Sequence, residues 1–288
     1  MSQKFWERLA WSFSRHNTLN ECPKQYWFQY VAPNDYEISQ RDRDTIWRLK
    51  NLESINFLRG SLIHDKIDIV IPRLQNRESI DENDIFDELG EEVEKYRATA
   101  RETIAEFHNG KPQDESIFDL IRSETVEQMT IFLRLKWPEI AALEYLQHEK
   151  FDEFQLGSAR IIVKLDYVGK RNFNNLVIVD WKTGNDDERY QSRLQLGGYA
   201  LWAKTEKAVH PKDLEVILIF LKSGQTKPIY LTDADLKSVE DVILADWMEL
   251  QTPKDQGAYS INPGPQRCLS CKFATICSEA DLSKISDS

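Results

Sequence analysis

Apolar positions follow two different periods along the chain, and the change between them separates a helical part from a sheet part. In LRGSLIHDKIDIVI, within residues 44–71, apolar residues recur at helical intervals. SFSRHNTLNECPKQYWFQYV predicts two shorter helices that meet at Cys22 and Pro23, because proline suits the first position of a helix. Residues 75–145 are rich in Glu, Lys, Arg and Leu and have no hairpin signal, which predicts a helical insertion.

Short runs of β-branched and aromatic residues mark the sheet part. They predict five strands, at 148–156, 160–170, 176–182, 214–222 and 227–231. A helix is predicted after the third strand, since Asn185 and Glu188 have the spacing of a capping box, and another over 233–250. This order of helices, three strands, a helix and two strands indicates a mixed α/β fold of the α+β kind around one small sheet.

No internal repeat or glycine-rich linker interrupts the chain. We therefore expect a single domain over residues 1–288, with the acidic helical insertion at 75–145 inside it. At 288 residues and 41% hydrophobic content, the chain is long enough to bury a substantial core. The first residues lack the order of a secretory signal, and the longest apolar run, EVILIFLK, is too short to span a bilayer. The expectation is a cytoplasmic protein with no membrane partner.

Charge is distributed unevenly along the chain. The formal net charge is -11, which by itself argues against a general nucleic-acid binder. Residues 75–155, however, hold 21 acidic against 9 basic side chains, and the rest of the chain is close to neutral. Residues 1–60 hold 9 basic against 7 acidic side chains, so a nucleic-acid surface outside the acidic stretch is compatible with the composition.

Asp166, Asp180 and Lys182 lie within the apolar runs of RIIVKLDYVGKRNFNNLVIVDWKTG, where a solvated strand rim is the alternative to a functional site. Asp180 and Lys182 are two positions apart on one strand and point to the same face. If the chain turns near NFNN, Asp166 lies at a comparable level on the neighbouring strand. Two carboxylates suit Mg²⁺ or Mn²⁺, and a lysine beside a metal-bound water can orient or deprotonate it. The arrangement predicts hydrolysis of a phosphodiester.

These residues carry a resemblance to a known family. Asp166 followed by Asp180, Trp181 and Lys182 resembles the motif of the PD-(D/E)xK nuclease superfamily, whose restriction-endonuclease-like core is a small central mixed sheet flanked by helices. His64 in RGSLIHDKI stands where RecB-like nucleases carry a histidine. The resemblance implies that His64, Asp166 and Asp180 bind the metal ion and that Lys182 activates water. A hydrogen-bonded core histidine is the structural alternative for His64.

The helix after the hairpin extends the resemblance. Gln195 and Tyr199 in QLGGY resemble the Q-x-x-x-Y element of RecB-like nucleases, which implies a role in positioning the strand or the lysine. With Gln191 they are spaced four apart, so all three share one stripe of the helix. A buried polar pair that packs the helix on the sheet is the alternative. Gly197 and Gly198 weaken a helix, so another part of the protein, such as the sheet, is expected to approach closely there.

Four cysteines divide into one near the start and three near the end. Cys268, Cys271 and Cys277 in CLSCKFATIC lie within 260–280, and Cys22 joins them to make four thiolates, enough for a closed zinc site or an iron-sulfur cluster. In a reducing cytosol, metal ligands are expected in preference to disulfides. Spacing does not separate zinc from a cluster, although the division is atypical of a zinc ribbon.

The division of the cysteines resembles the iron-sulfur branch of RecB-like nucleases, which includes the AddB nuclease domain and the CRISPR-associated RecB-like exonucleases. It implies a 4Fe-4S cluster held by the four cysteines, with zinc as the alternative occupant, and it covers residues 12–280 apart from the insertion. Such a cluster would clamp the two ends of the chain together. Tyr26, Trp27 and Phe28, beside Cys22, are expected in the core, with base stacking as the alternative.

The predicted function is a metal-dependent DNA nuclease. The resemblance implies an exonuclease acting on DNA ends or single strands in repair, recombination or defence. Because no G-x-x-x-x-G-K-[ST] motif is present, any helicase would be a separate partner. Two alternatives stay open: a catalytically silent subunit that binds DNA ends or organises a complex, to which the acidic stretch is suited, and a sequence-specific endonuclease of the same superfamily.

Overall fold

A five-stranded mixed sheet lies at the centre of the protein in a computed structural model, which describes residues 9–112, 114, 116–172, 175–184, 189–251 and 256–282. The strands are β1 Glu144–Leu156, β2 Ala159–Asn172, β3 Asn175–Lys182, β4 Leu214–Phe220 and β5 Gln225–Ile229. They lie side by side in chain order. β3 and β4 are parallel and the other neighbours antiparallel. The five predicted strands and the mixed α/β class are confirmed, with shifts of a few residues at strand ends.

The helices of the described residues surround this sheet. In chain order they are α1 Phe13–Glu21, α2 Pro23–Tyr26, α3 Gln40–Lys50, α4 Ile55–Gln75, α5 Glu82–Ala98, α6 Ala100–Thr103, α7 Ala105–His108, α8 Ser116–Ile131, α9 Trp137–Ile140, α10 Arg189–Glu206, α11 Asp233–Gln251 and α12 Pro265–Leu269. π-Helical turns at Trp27–Val31 and Phe132–Lys136 follow α2 and α8, and 3₁₀ turns occupy Ala32–Asn34, Pro211–Asp213, Gln256–Ala258 and Ala274–Ile276. None of these described helices has both the length and the apolar character needed to cross a bilayer.

The sheet is covered on both faces because its strands alternate between two apolar clusters. Leu176 and Ile178 of β3 pack with α10 and α11, whereas Val177, Val179 and Trp181 pack with α4, α5 and α8. In β2 the alternation shifts by one residue at Asp166. The residues Ile161, Val163, Leu165 and Val168 all belong to the α10 and α11 cluster. This irregularity lies where the functional carboxylates are predicted.

The acidic stretch forms helices, as its composition predicts, and these helices build one of the two layers. α5 and α8 pack on each other and on α4. Ile85, Leu89 and Met129 thereby enter the apolar cluster on that face of the sheet. The acidic side chains of α5 point away from the sheet, and Glu88 and Glu92 bind the ammonium of the buried Lys66 at 3.2 and 2.8 Å. The helices of this stretch are thus an integral part of the core.

One predicted helix is divided in two. Residues 44–71 carry a helical pattern, but α3 ends at Lys50 and α4 begins at Ile55. The Ser54 hydroxyl accepts a hydrogen bond from the Phe57 N–H at 3.2 Å, and the Glu106 carboxylate accepts one from the Ile55 N–H at 3.1 Å. These acceptors satisfy the donors of a new helix start, so the helical character expected for residues 44–71 is present in two helices separated by residues 51–54.

The break predicted at Cys22 and Pro23 is present, since α1 ends at Glu21 and Pro23 opens α2. Three sequence predictions concern residues outside the described part. The turn at NFNN includes residues 173 and 174, the capping box lies within 185–188, and the side chain of Gln191 is not among those described.

Candidate active site

The two strands of the central hairpin diverge at the predicted site. Tyr167 and Val179 are the last paired residues of β2 and β3 in this direction. Beyond them the Trp181 N–H donates a hydrogen bond to Asp166 Oδ2 at 2.9 Å, so a side chain takes the place of a strand partner. Asp166 and Asp180 become buried, with 5% and 1% of their surface exposed. Burying two carboxylates is unfavourable unless charges or hydrogen bonds compensate them.

Asp180 belongs to a closed ring of four polar side chains. Lys182 Nζ lies 2.7 Å from Asp180 Oδ2 and donates to Gln195 Oε1 at 2.8 Å. Gln195 Nε2 donates to the Tyr199 hydroxyl at 2.7 Å, and that hydroxyl donates to Asp180 Oδ1 at 3.0 Å. The structure therefore brings Gln195 and Tyr199 of α10 into contact with the lysine and the carboxylate. Such a ring restricts the rotamers of every member.

Asp166 belongs to a second group, which includes a residue that the sequence did not reveal. His64 Nδ1 lies 3.2 Å from Glu149 Oε1 and 3.7 Å from Asp166 Oδ1. The ligand atoms of His64, Glu149 and Asp166 all lie within 4.8 Å of one another. Glu149 Oε2 also forms an ion pair with Lys164 of β2. β1 supplies Glu149 and α4 supplies His64, so the group joins parts of the chain that are far apart in sequence.

Glu149 has an uncommon backbone conformation. Its φ is +44°, in the left-handed region that non-glycine residues seldom occupy. In the antiparallel register it lies between the pairs His148–Tyr167 and Lys150–Leu165, opposite Asp166. An acidic residue at that register is the one sequence signal that identifies Glu149, and it becomes visible only when the pairing of β1 with β2 is known.

The pKa values reflect an excess of negative charge. Burial disfavours the charged form of His64, but the neighbouring Asp166 and Glu149 outweigh it and raise the pKa of His64 to about 9. Burial raises the pKa of Asp166 to about 7 despite the attraction of His64. Burial and the Asp180 carboxylate hold the pKa of Tyr199 well above its usual value, so its hydroxyl stays a donor.

These residues fit a divalent cation. Asp180 Oδ2 is buried and accepts no hydrogen bond of good geometry from the described residues, although the Lys182 ammonium is near, so it retains lone pairs for a ligand. Carboxylate oxygens are suited to Mg²⁺ and Mn²⁺. A cation here would also compensate the charge that burial makes unfavourable.

A groove of about 1160 Å³ opens from these residues to the surface. Its lining includes His64, Asp166, Asp180, Lys182 and Gln195. Two exposed phenyl rings and several cationic side chains line it as well, namely Phe57, Phe151, Arg59, Lys164 and Lys222. The site is therefore accessible to an extended ligand.

The four cysteines meet around a separate cavity. Cys22, Cys268, Cys271 and Cys277 all line it, and all are free thiols. Burial raises the pKa of Cys271 to about 12, and the other three cysteines add to the increase. Thiols gathered in this way become stable thiolates only beside a cation.

The aromatic residues beside Cys22 form the core next to this cavity. Tyr26, Trp27 and Phe28 are at most 6% exposed, and Phe28 stacks on Phe273 with ring centroids 5.3 Å apart. Their expected role in the core is confirmed, and they are not available to stack bases.

No curated protein sequence matches the chain. A solved structure described as a candidate exonuclease from Eubacterium rectale is 11% identical with a TM-score of 0.45, over 87% of this chain and 85% of that one. A structure named SSO0001 is 13% identical with a TM-score of 0.32, over 65% of this chain and 96% of that one.

Family membership comes from the sequence itself. The superfamily's sequence pattern matches residues 10–278. This range includes the hairpin of β2 and β3, the helix α10 and the four cysteines. The expected superfamily is confirmed, and this chain belongs to the PD-(D/E)XK nuclease superfamily.

Proposed function

We propose that this nuclease is a Mg²⁺- or Mn²⁺-dependent DNA exonuclease that acts on ends or single strands and carries a structural 4Fe-4S cluster. The observation that supports catalysis most directly is the meeting of Asp166, Asp180 and Lys182 at the divergence of β2 and β3, with His64 and Glu149 beside them. A catalytically silent binding subunit has no chemical need for this combination.

In the proposed mechanism, some residues bind the metal ion, one acts on water and two position the others. His64, Asp166 and Asp180 hold the metal ion, and Glu149 either joins them or orients His64. A bound Mg²⁺ or Mn²⁺ would stabilise charge on the phosphoryl oxygen and lower the pKa of a bound water. Lys182 Nζ, held between Asp180 and Gln195, orients or deprotonates the attacking water. Gln195 and Tyr199 act as positioning residues, because they contact Lys182 and Asp180.

The proposed cluster rests on the resemblance of the division of the cysteines to the iron-sulfur branch of RecB-like nucleases. The structure brings the four cysteines, one near the start of the chain and three near its end, around one cavity. Four thiolates also complete a tetrahedral zinc site, so zinc is the alternative occupant. Iron and acid-labile sulfide near four each per chain would support the cluster, whereas one zinc per chain would contradict it.

The first test is cleavage of end-labelled single-stranded, duplex and circular DNA, with an RNA oligonucleotide as a fourth substrate. Anaerobically purified protein is compared with Asp180→Ala and with Asp241→Ala, a control on the exposed side of α11. We expect Mg²⁺- or Mn²⁺-dependent degradation of DNA with ends, lost in Asp180→Ala and kept in Asp241→Ala. Cleavage of circular DNA would indicate an endonuclease. No cleavage of any substrate, by protein that retains its iron, would indicate the catalytically silent DNA-binding subunit.

Lys182 provides a second test of the chemistry. Lys182→Met keeps most of the side-chain volume and removes the ammonium, so we expect cleavage to fall by about 100-fold or more while the metal still binds. Lys170→Met, near the other end of the hairpin, should leave the rate unchanged. The rate is measured as single-turnover cleavage, and wild-type cleavage by Lys182→Met would remove Lys182 from the mechanism.

A further inference from the structure

Two phenyl rings in the active-site groove have no role in the core. Phe57 is 60% exposed and Phe151 is 68% exposed, yet both line the groove that contains Asp166 and Lys182. Exposing a large apolar ring to water is unfavourable, and such rings at a concave site indicate a ligand surface.

Each ring is held on an element that also supplies a residue of the active site. Phe57 lies seven residues before His64 on α4, two helical turns or about 10 Å away on the same side. Phe151 lies two residues after Glu149 on β1, about 7 Å along the strand. The rings therefore stand on two different walls, each at a short and fixed distance from the candidate metal ligands.

The backbone that carries each ring is held by hydrogen bonding or strand pairing. The N–H of Phe57 is bound by Ser54 at the start of α4. Phe151 pairs with Lys164 in the β1–β2 register, and Lys164 Nζ lies 5.8 Å from the ring centroid. Lys164 also forms an ion pair with Glu149. A ring that is fixed before binding loses little conformational entropy when a ligand stacks on it.

Cationic groups accompany the rings. Arg59 lies two residues after Phe57, and Lys222 lines the same groove. The Glu124 carboxylate lies 3.3 Å from Arg59 Nε and 4.0 Å from Lys222 Nζ, which places these two cations close together. Lys164 lies beside the Phe151 ring, and Arg59 and Lys222 line the same groove as Phe57, so the groove that holds both rings also holds cations that can contact a phosphate.

From this arrangement we infer that the groove binds an unpaired nucleic-acid strand, with one base stacked on Phe57 and another on Phe151, on either side of the phosphate to be cleaved. The inference rests on the proposed nuclease function and specifies its substrate. In a duplex the faces of each base are covered by its neighbours, so flat rings of this kind can be used only by unpaired bases. Because phenyl rings offer no hydrogen bonds to base edges, binding is independent of sequence.

The test is binding of fluorescently labelled oligo(dT), measured by anisotropy in EDTA and again in Ca²⁺. We expect Phe57→Ala and Phe151→Ala each to weaken binding by about 5- to 100-fold. Phe57→Trp and Phe151→Trp should restore it, since tryptophan also stacks. Tyr230→Ala is the matched control, because Tyr230 is 75% exposed but does not line the groove. Thermal unfolding should be unchanged in all variants.

Cleavage separates this inference from the function on which it rests. On duplexes with 3′ or 5′ single-stranded extensions, compared with a blunt duplex, the alanine variants should raise KM for the extended substrates, with a smaller effect on kcat. If both alanine variants bind oligo(dT) with wild-type affinity and cleave DNA with wild-type KM, the stacking inference is wrong but the proposed nuclease function stands. A wild-type protein that neither binds nor cleaves any oligonucleotide would overturn both.

Discussion

At the residue scale, Glu149 combines an unfavourable backbone conformation with a place in the candidate active site. A non-glycine residue in the left-handed region costs about 1–3 kcal/mol, and this strain persists only where the surroundings compensate it. Here the compensation comes from His64 and Lys164, which both contact the carboxylate and lower the pKa of Glu149 despite its burial. A strained acidic residue opposite Asp166 is more readily understood as part of the metal site than as a packing feature.

We expect Glu149→Gln to weaken Mn²⁺ binding by about 10- to 100-fold, because the change removes a charge from the group and leaves the shape nearly the same. Titration calorimetry measures the affinity. Glu153→Gln is the matched control, since Glu153 lies on the same strand with an exposed carboxylate paired to Arg160. Equal Mn²⁺ affinity in Glu149→Gln and the control would place Glu149 outside the metal site.

At the scale of elements, the paired glycines of α10 have different neighbours. A Cβ on Gly197 would lie 2.5 Å from Val239 Cγ2, whereas one on Gly198 would have nothing nearer than Trp11 at 3.9 Å. The close approach predicted from the sequence is real at Gly197, but the approaching element is α11 and not the sheet. α10 thus packs closely on α11 at Gly197, while Gln195 and Tyr199 of the same helix contact Lys182 and Asp180.

Gly197→Ala should therefore destabilise the protein by about 1–3 kcal/mol through overpacking. Gly198→Ala should be neutral or stabilising by up to about 1 kcal/mol, since alanine favours the helix and has room. Urea unfolding of the two variants provides the comparison. The double variant Gly197→Ala with Val239→Ala should recover part of the loss, and additive effects would contradict a direct clash.

At the scale of the whole molecule, the cysteine cavity joins three distant segments. Cys22 lies between α1 and α2, and the other three cysteines follow Gly264. The Lys24 N–H donates to the Ser260 carbonyl at 3.0 Å, which holds the two ends together. From the acidic stretch, the buried Asn109 donates to the carbonyls of Leu269 and Cys271 at 2.7 and 2.8 Å. The helical stretch at 75–145 thus also positions the cysteine loop.

Asn109→Ala should remove the side-chain donor from both carbonyls, leave the Cys271 carbonyl with the Ala274 N–H alone, and loosen the loop between Cys268 and Cys271. We expect a loss of about 1–3 kcal/mol in unfolding free energy and, from the proposed cluster, faster release of iron to a chelator. Release is followed by the absorbance of the chelated iron, with Asn172→Ala as the control. Unchanged release in Asn109→Ala would limit the role of this residue to folding.

If the cysteine site holds the proposed metal, its removal should loosen the neighbouring helices before it affects the whole fold. With Cys22→Ala or after chelation, we expect amide exchange to increase in α1, α2 and α12, while β2, β3 and β4 stay protected because the sheet has its own core. Hydrogen exchange with mass spectrometry measures this. Uniform loss of protection in the sheet would show that the metal supports the whole fold.

The sequence by itself determined the features that depend on local periodicity. Strand alternation places Asp180 and Lys182 on one face, and the structure has them in contact. Helical spacing places Gln195 and Tyr199 on one stripe, and they are hydrogen-bonded to each other. The helix boundary at Cys22 and the five strands were predictable for the same reason, since each depends on residues that are neighbours in the chain.

Only the tertiary structure decided the features that depend on contacts between distant segments. The break before Ile55 depends on the carboxylate of Glu106, and the place of Glu149 depends on the register of β1 against β2. The neighbour of Gly197 is a side chain of another helix, and the exposure of Phe57 and Phe151 depends on what the remaining chain leaves uncovered. Local pattern does not determine these features, because most of the free energy that fixes them comes from contacts between segments far apart in sequence.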